Sequence, residues 1–347
     1  MILGGNNLAE SKKKGLGLPQ TRGSFQVRGK VTGTDRDSFY TEKLTKSDKP
    51  WRSVNFGIQF TEDSTIFVGL NGMEKDSVYF SKRVDGKTEI KEVPWKDRLT
   101  FVEKDFSLIG VNLGVSKIKD AKGNEVNDKK RRVEYDACKE ISDNLVDGQT
   151  VFVRGNIEYG SYQERHTTKF VPSQISLAKD IDFKSEDFNP LADFTQVIVF
   201  MGITPNEDKT RATVSAKIVN YDSIEDAEFI ITDMNLAKIF NKNLKPYMSI
   251  KVWGNINVEK SIEEIESTDC WGVENNMDKV KAPTIRELVI TGADPSTIDK
   301  TTYTEEELDK AIEASKTAKA AEKDFGGSTD GWGSVGSSLD DEDESGW

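Results

Sequence analysis

The sequence holds one histidine, His166, and two cysteines, Cys138 and Cys270, in 347 residues. So few imidazoles and thiols leave most catalytic triads and transition-metal sites unassembled, and neither cysteine has the CxxC partner of a zinc site. A carboxylate-based Mg²⁺ site stays open on this argument. No run of about 18 apolar residues exists, so no membrane span and no membrane partner are expected. Residues 1–22 are polar and rich in Gly and Lys, without the apolar stretch of a signal peptide. A cytoplasmic setting with free thiols is therefore expected. Neither a catalytic residue nor a cofactor nor a metal site is expected, and the chain reads as a binding protein rather than an enzyme.

A positive balance is also missing. Against 60 Asp/Glu stand 48 Lys/Arg, a formal net charge of −12. The distribution is uneven. Residues 1–180 carry 31 Lys/Arg and 26 Asp/Glu, residues 181–295 carry 12 and 20, and the last 22 residues carry six acids and no base. A mildly basic first half with an acidic end points to nucleic acid at one end and an acidic tail at the other.

What is present is period-2 alternation. Phe25, Val27, Gly29 and Val31 share one face of a strand, with Gln26, Arg28 and Lys30 on the other. Ser53–Phe60, Thr65–Leu70, Phe106–Leu113 and Gln149–Gly155 continue the strand pattern. Tyr135, Cys138, Ile141 and Leu145 fall at helical spacing. An internal repeat organises these elements. Residues 145–157 match residues 244–256 without a gap, sharing the initial Leu and Val-x-Gly-Asn-Ile. A helical stretch precedes both copies, and the opening Phe25-x-Val aligns with Thr195-x-Val.

Each unit reads as three strands, a helix and two strands, the order of the five-stranded OB barrel that binds oligonucleotides and oligosaccharides. Strand counting leaves an unrelated β-sandwich open. The expected fold is mainly β, with two tandem OB-fold barrels, each with a helix before its fourth strand, and a disordered acidic C-terminal tail. The expected organisation is a flexible basic arm (1–22), a first barrel with an insertion as the main DNA-binding unit (23–182), and a second barrel (190–295). A short helix (304–324) and a Gly/Ser linker with an acidic tail (325–347) follow.

Single strands are held by basic grooves with aromatic platforms, because every base has a π-face. The first unit interleaves both types. Phe39, Tyr40, Lys43, Lys46, Lys49, Trp51 and Arg52 lie between its first two strands. Trp51 is bracketed by Lys49 and Arg52, although it could equally cap the barrel end. Tyr79, Lys82 and Arg83 repeat the mixture, with either Tyr79 or Phe80 expected in the core, and Trp95, Lys96 and Arg98 form a third cluster. Lys129, Lys130, Arg131 and Arg132 are the densest basic run and read either as a phosphate contact or as a solvated hairpin. Arg154, Tyr159, Tyr162, Arg165 and Lys169 span the last hairpin of the unit. In the poorer second unit, Lys209, Arg211, Lys217, Tyr221, Lys251 and Trp253 are candidates, and Trp253 occupies the repeat position of Arg154.

The C-terminus carries a capping box at Thr304–Glu307, then a Gly/Ser-rich linker, then Leu339-Asp-Asp-Glu-Asp-Glu-Ser-Gly-Trp347. Barrel, linker, acidic tip and terminal aromatic together resemble bacterial and bacteriophage single-stranded DNA-binding proteins. The sequence departs from the bacterial tip by ending in Gly-Trp rather than Pro-Phe, and by placing two barrels in one chain. The resemblance implies a protein that coats and protects single-stranded DNA in replication, recombination and repair, in the cytoplasm of an infected bacterial host if phage-encoded. It also implies that Asp340, Asp341, Glu342, Asp343, Glu344 and Trp347 recruit partner proteins such as a polymerase, a helicase or primase, or a recombinase. The competing expectation is an OB-fold structural or assembly protein of a phage without DNA-binding activity.

Overall fold

The computed structural model describes residues 15–162, 165–260 and 284–324. The described residues are mainly β-structure. Strand β1 (Gly23–Thr32) alternates as its sequence dictates, with Phe25, Val27 and Val31 buried and the intervening polar residues half-buried. β2 (Tyr40–Leu44), β3 (Pro50–Gln59) and β4 (Thr65–Met73) continue as an antiparallel meander. An insertion follows, comprising β5 (Ser77–Val84), β6 (Lys87–Pro94), a 3₁₀ turn at Trp95–Asp97, and β7 (Ser107–Leu108). β5 and β6 are joined by Asp85-Gly86, both at positive φ, the backbone of a tight hairpin. Then come β8 (Val111–Gly114), β9 (Lys117–Lys119), β10 (Glu125–Asn127), β11 (Lys130–Arg132), α1 (Glu134–Asn144), β12 (Thr150–Tyr162) and β13 (Arg165–Leu177).

The pairings among five of these strands close on themselves. β1 pairs antiparallel with β3, and β3 with β4. β4 lies parallel to β13 at Val68–Phe170, β13 pairs antiparallel with β12, and β12 pairs with β1. Five strands so connected have no free partner in the cycle. Ala137, Cys138 and Ile141 of α1 are buried in the core that the ring encloses. Burial pushes the Cys138 thiol up to about 12, so it is an inert core group.

A second cycle repeats the first. β14 (Leu191–Pro205) pairs with β15 (Ala212–Val219), and β15 with β16 (Ile224–Ile231). After α2 (Met234–Asn243) come β17 (Met248–Lys260) and β18 (Thr284–Asp299). β16 meets β18 in parallel at Ile230–Val289, β17 pairs with β18, and β14 pairs with β17. The repeated Val-x-Gly-Asn-Ile motif has a geometric role in both rings. The ladder shifts register between Arg154 and Gly155 in one ring and between Trp253 and Gly254 in the other. A Cβ on Gly155 would stand 2.0 Å from the Val171 carbonyl oxygen, and one on Gly254 would stand 1.9 Å from that of Val289. Only glycine admits the facing strand so closely.

One sequence alignment shifts by a residue. Phe25 faces Gly155 and Phe194 faces Gly254, so Phe194, not Thr195, corresponds to Phe25. Phe194 is buried and Thr195 lies on the opposite, half-exposed face. The two phenylalanines are also direct partners across an antiparallel β1–β14 pairing that joins the rings into one continuous sheet.

Residues 15–22, read from sequence as part of a flexible arm, lie along the second ring. The Leu16 and Thr21 amides donate to the Tyr221 and Val219 carbonyls, and Gln196 Nε2 donates to the Thr21 carbonyl. The Tyr303 hydroxyl donates to the Pro19 carbonyl, and Tyr303 and Leu308 are buried with Val199 and Val219. Residues 1–14 lie outside the described residues. Helix α3 (Glu305–Asp324) starts at the expected cap, where Thr304 Oγ1 accepts from the Glu307 amide. Among the described residues, no helix is long and apolar enough to cross a membrane.

Candidate nucleic-acid interface

Alternation along β3 and β4 sends Val54, Phe56, Ile58, Ile66, Val68 and Leu70 inward. The other residues form an outward sheet face. Register places Trp51 opposite Met73, Ser53 opposite Asn71, Asn55 opposite Gly69, and Gly57 opposite Phe67. β2 extends this face with Lys43 beside Trp51 and Thr41 beside Ser53. Two aromatics therefore mark its ends. Trp51 and Phe67 are separated by about six residues along the strands, or roughly 20 Å. Phe67 is 52% exposed, and its ring edge lies 3.4 Å from where a Cβ of Gly57 would stand.

Each aromatic has a cation. Lys43 Nζ lies 4.8 Å from the Trp51 ring centroid, and the Arg36 guanidinium lies 5.9 Å from that of Phe67. Neither cation forms an ion pair among the described residues. Asn55 and Asn71 lie exposed between the two rings. A polar floor with a π-face at each end and a cation over each ring suits a chain of stacked bases joined by phosphates. Phe67 and Arg36 were not among the residues singled out from sequence. Phe67 is nevertheless legible there, since Thr65, Phe67 and Gly69 alternate against Ile66, Val68 and Leu70.

Other candidates have structural duties. Phe39 is buried edge-on to Phe56, with ring centroids 6.4 Å apart. Arg52 lies 4.0 Å over Tyr135, and its Nε and Nη2 donate to Glu42 Oε1 at 3.0 and 2.9 Å. That bond, with a second from the Tyr40 hydroxyl, holds the Glu42 carboxyl below its ordinary range. Arg52 and Tyr40 are thereby engaged at the end of the ring rather than offered to phosphate. Lys49 pairs with Asp76 at 3.4 Å, and Lys46 is exposed and makes no ion pair among the described residues.

In the insertion, Trp95 is buried beside Tyr135, and Arg98 makes a two-pronged bond to Asp136 at 2.7 and 3.0 Å. Trp95 and Arg98 thus hold the insertion to α1. Phe80 is the core member of its pair and Tyr79 is 48% exposed. Lys82 pairs with Glu89 and lies 4.8 Å over Phe106, whereas Arg83 and Lys96 are exposed and make no ion pair among the described residues. The basic run at Lys129–Arg132 is mostly satisfied internally. Lys130 bonds Asp128 and Glu140, Arg132 bonds Glu140, and Arg131 donates to Asn112 Oδ1. Lys129 and Arg131 are exposed and make no ion pair among the described residues, but Arg131 is held by its bond to Asn112.

Tyr159 is buried between the rings, its centroid 6.5 Å from that of Phe229, so it does not offer a ring to bases at the surface. The side chains of Tyr162 and Arg165 lie outside the described residues, as does the tail with Asp340, Asp341, Glu342, Asp343, Glu344 and Trp347. Lys169 adjoins Phe67, by the parallel register of Phe170 with Val68. Arg154 and Trp253 are exposed on the outer face of the shared β12–β1–β14–β17 sheet, away from Trp51. The second ring's counterpart of the Trp51–Phe67 face has no aromatic. There Thr213, Ser215 and Lys217 face Ile230, Glu228 and Asp226, and Lys217 is bound to Asp226 at 2.8 Å.

Comparison with known proteins adds four findings. The wild-type single-stranded DNA-binding protein of Thermus aquaticus is similar at 12% identity and a TM-score of 0.37, over 82% of this chain and 98% of that one. A deletion variant of the same protein is similar at 12% identity and a TM-score of 0.37, over 79% and 94%. No curated protein matches the chain. The family model described as YorF matches residues 81–327, from the β5–β6 hairpin through α3, and the chain belongs to the YorF family.

Proposed function

We propose that this chain is a non-enzymatic single-stranded DNA-binding protein of two tandem OB-type barrels. It coats and protects single strands in replication and recombination, and recruits partner proteins through its acidic C-terminal tail. The barrel reading rests on two five-stranded cycles with the same order: a meander of three strands, a helix, and two strands that close the cycle through one parallel contact. The DNA reading rests chiefly on the outward β2–β3–β4 face, where Trp51 under Lys43 and Phe67 under Arg36 flank a polar floor. The first barrel is the DNA-binding unit in this reading, because the matching face of the second carries Asp226 and Glu228 and lacks an aromatic.

The test is binding of oligo-dT and of duplex DNA of equal length across a salt series. With three to five phosphates neutralised, log K for single strands falls against log salt with a slope of about −2 to −4. Affinity at low salt that is no better for single strands than for duplex removes the proposal and favours an assembly protein without DNA-binding activity.

A further inference from the structure

Away from the Trp51–Phe67 face, a cleft of about 250 Å³ opens where the β12–β13 hairpin meets the second ring. Tyr159, Thr168 and Phe170 line it from the hairpin; Asp226 and Glu228 of β16 and Arg286 of β18 line it from the other side. Tyr159 is only 9% exposed, and its hydroxyl has no hydrogen-bond partner among the described residues. Buried hydroxyls without partners are rare, because the lost hydration is not replaced. Burial also raises the Tyr159 pKa, which keeps the hydroxyl protonated and able to donate.

The remaining groups are fixed in place. Arg286 Nη2 donates to the Thr168 carbonyl at 2.9 Å, and the guanidinium lies 5.2 Å from the Phe170 ring centroid. One of its several N–H donors is thereby used, and the others have no hydrogen-bond partner among the described residues. Asp226 is occupied by Lys217, whereas Glu228 makes no ion pair among the described residues. The cleft thus offers donors from Tyr159 and Arg286 and an acceptor from Glu228. Two carboxylates in its wall disfavour a bare phosphate. A flat heterocycle with both donor and acceptor edges matches the set.

We propose that this cleft takes one unstacked nucleobase that presents an amino group beside a ring acceptor, as cytosine and adenine do. The amino group donates to Glu228, while the ring acceptor receives from Tyr159 or Arg286. Thymine would set a carbonyl oxygen against the Glu228 carboxylate. Lys169, beside Phe67, and Thr168, in the cleft wall, are consecutive on β13, so the β4 face and the cleft adjoin one strand from its two sides. The inference rests on the single-strand-binding reading above, to which it adds a base preference.

The test measures binding of the full chain to an all-thymine strand and to equal strands with one central cytosine or adenine. A single such base is expected to tighten binding about fivefold or more. Tyr159→Phe and Glu228→Gln should each reduce that preference below about twofold while all-thymine affinity and melting temperature stay near wild type. Equal binding of the three strands by the wild type overturns the cleft assignment alone, as does a preference that survives both variants. Failure to bind the all-thymine strand overturns the single-strand reading and the cleft with it.

Discussion

At the scale of residues, the candidate interface depends on which aromatic rings remain outside the core. Trp51 and Phe67 lie on the outward face with cations over them; Phe39, Trp95 and Tyr159 do not. Removing a stacked ring costs about 1–3 kcal/mol per base. Trp51→Ala and Phe67→Ala are therefore expected to weaken oligo-dT binding by about five- to a hundredfold each, with little change in melting temperature. Trp253→Ala, on the shared sheet, should leave that affinity within about twofold, because its ring faces a different surface. Anisotropy titrations of the three variants check the ranking. A Trp253 variant as weak as the Trp51 variant would move the interface to the shared sheet. The basic residues carry a related lesson. A run such as Lys129–Arg132 looks like a phosphate clamp in sequence, but Glu140 on α1 and Asp128 neutralise two of its charges across the fold. Long-range ion pairing of this kind leaves no local signal.

At the scale of elements, the repeated glycine sets the bend of two strands. Gly155→Ala and Gly254→Ala each force a methyl group against a backbone carbonyl that side-chain motion cannot relieve. Each is expected to cost about 2–3 kcal/mol, measured as a lower denaturation midpoint. The junction between β18 and α3 has its own signature. A hydrogen bond from the Thr302 hydroxyl, together with the Thr301 and Thr302 amides, lowers the Asp299 pKa from 3.8 to about 2. A depressed carboxyl stabilises the fold above its unfolded pKa and loses that contribution as pH falls through its folded value. Asp299→Ala should therefore melt lower than wild type at pH 7, and the gap should close as pH drops from about 4 to about 2. A gap that persists at pH 2 would place the effect elsewhere.

Much at this scale was legible. The helices, the β5–β6 turn and the repeat follow from local chemistry: side-chain spacing, a tight-turn Asp-Gly pair and a matched glycine. The pairing of Phe25 with Thr195 was one residue out because strand faces alternate residue by residue. An alignment judged on Val-x-Val can slip to the wrong face, and only the register against Gly254 decides it.

At the scale of the whole molecule, the two rings are joined through β1–β14 and through the buried Tyr159, and residues 15–22 tie the chain's start to the second ring. The acidic tail enters here as a proposal. Deleting Asp340–Trp347 is expected to strengthen single-strand binding, by removing a competitor for the basic face, and to abolish partner pull-down. If both stay unchanged, the tail has neither role. Charge asymmetry, the internal repeat and the tail's composition are properties of order along the chain, and the sequence by itself determined them. So did the mainly-β character, because alternation is a local pattern. The tertiary structure alone decided which aromatic rings stay at the surface and which are core. It also decided which cations are spent on carboxylates, and that Tyr159, a ring expected to reach for DNA, is buried between the rings. Burial and ion pairing depend on residues brought together from distant parts of the chain, and no local pattern encodes that proximity.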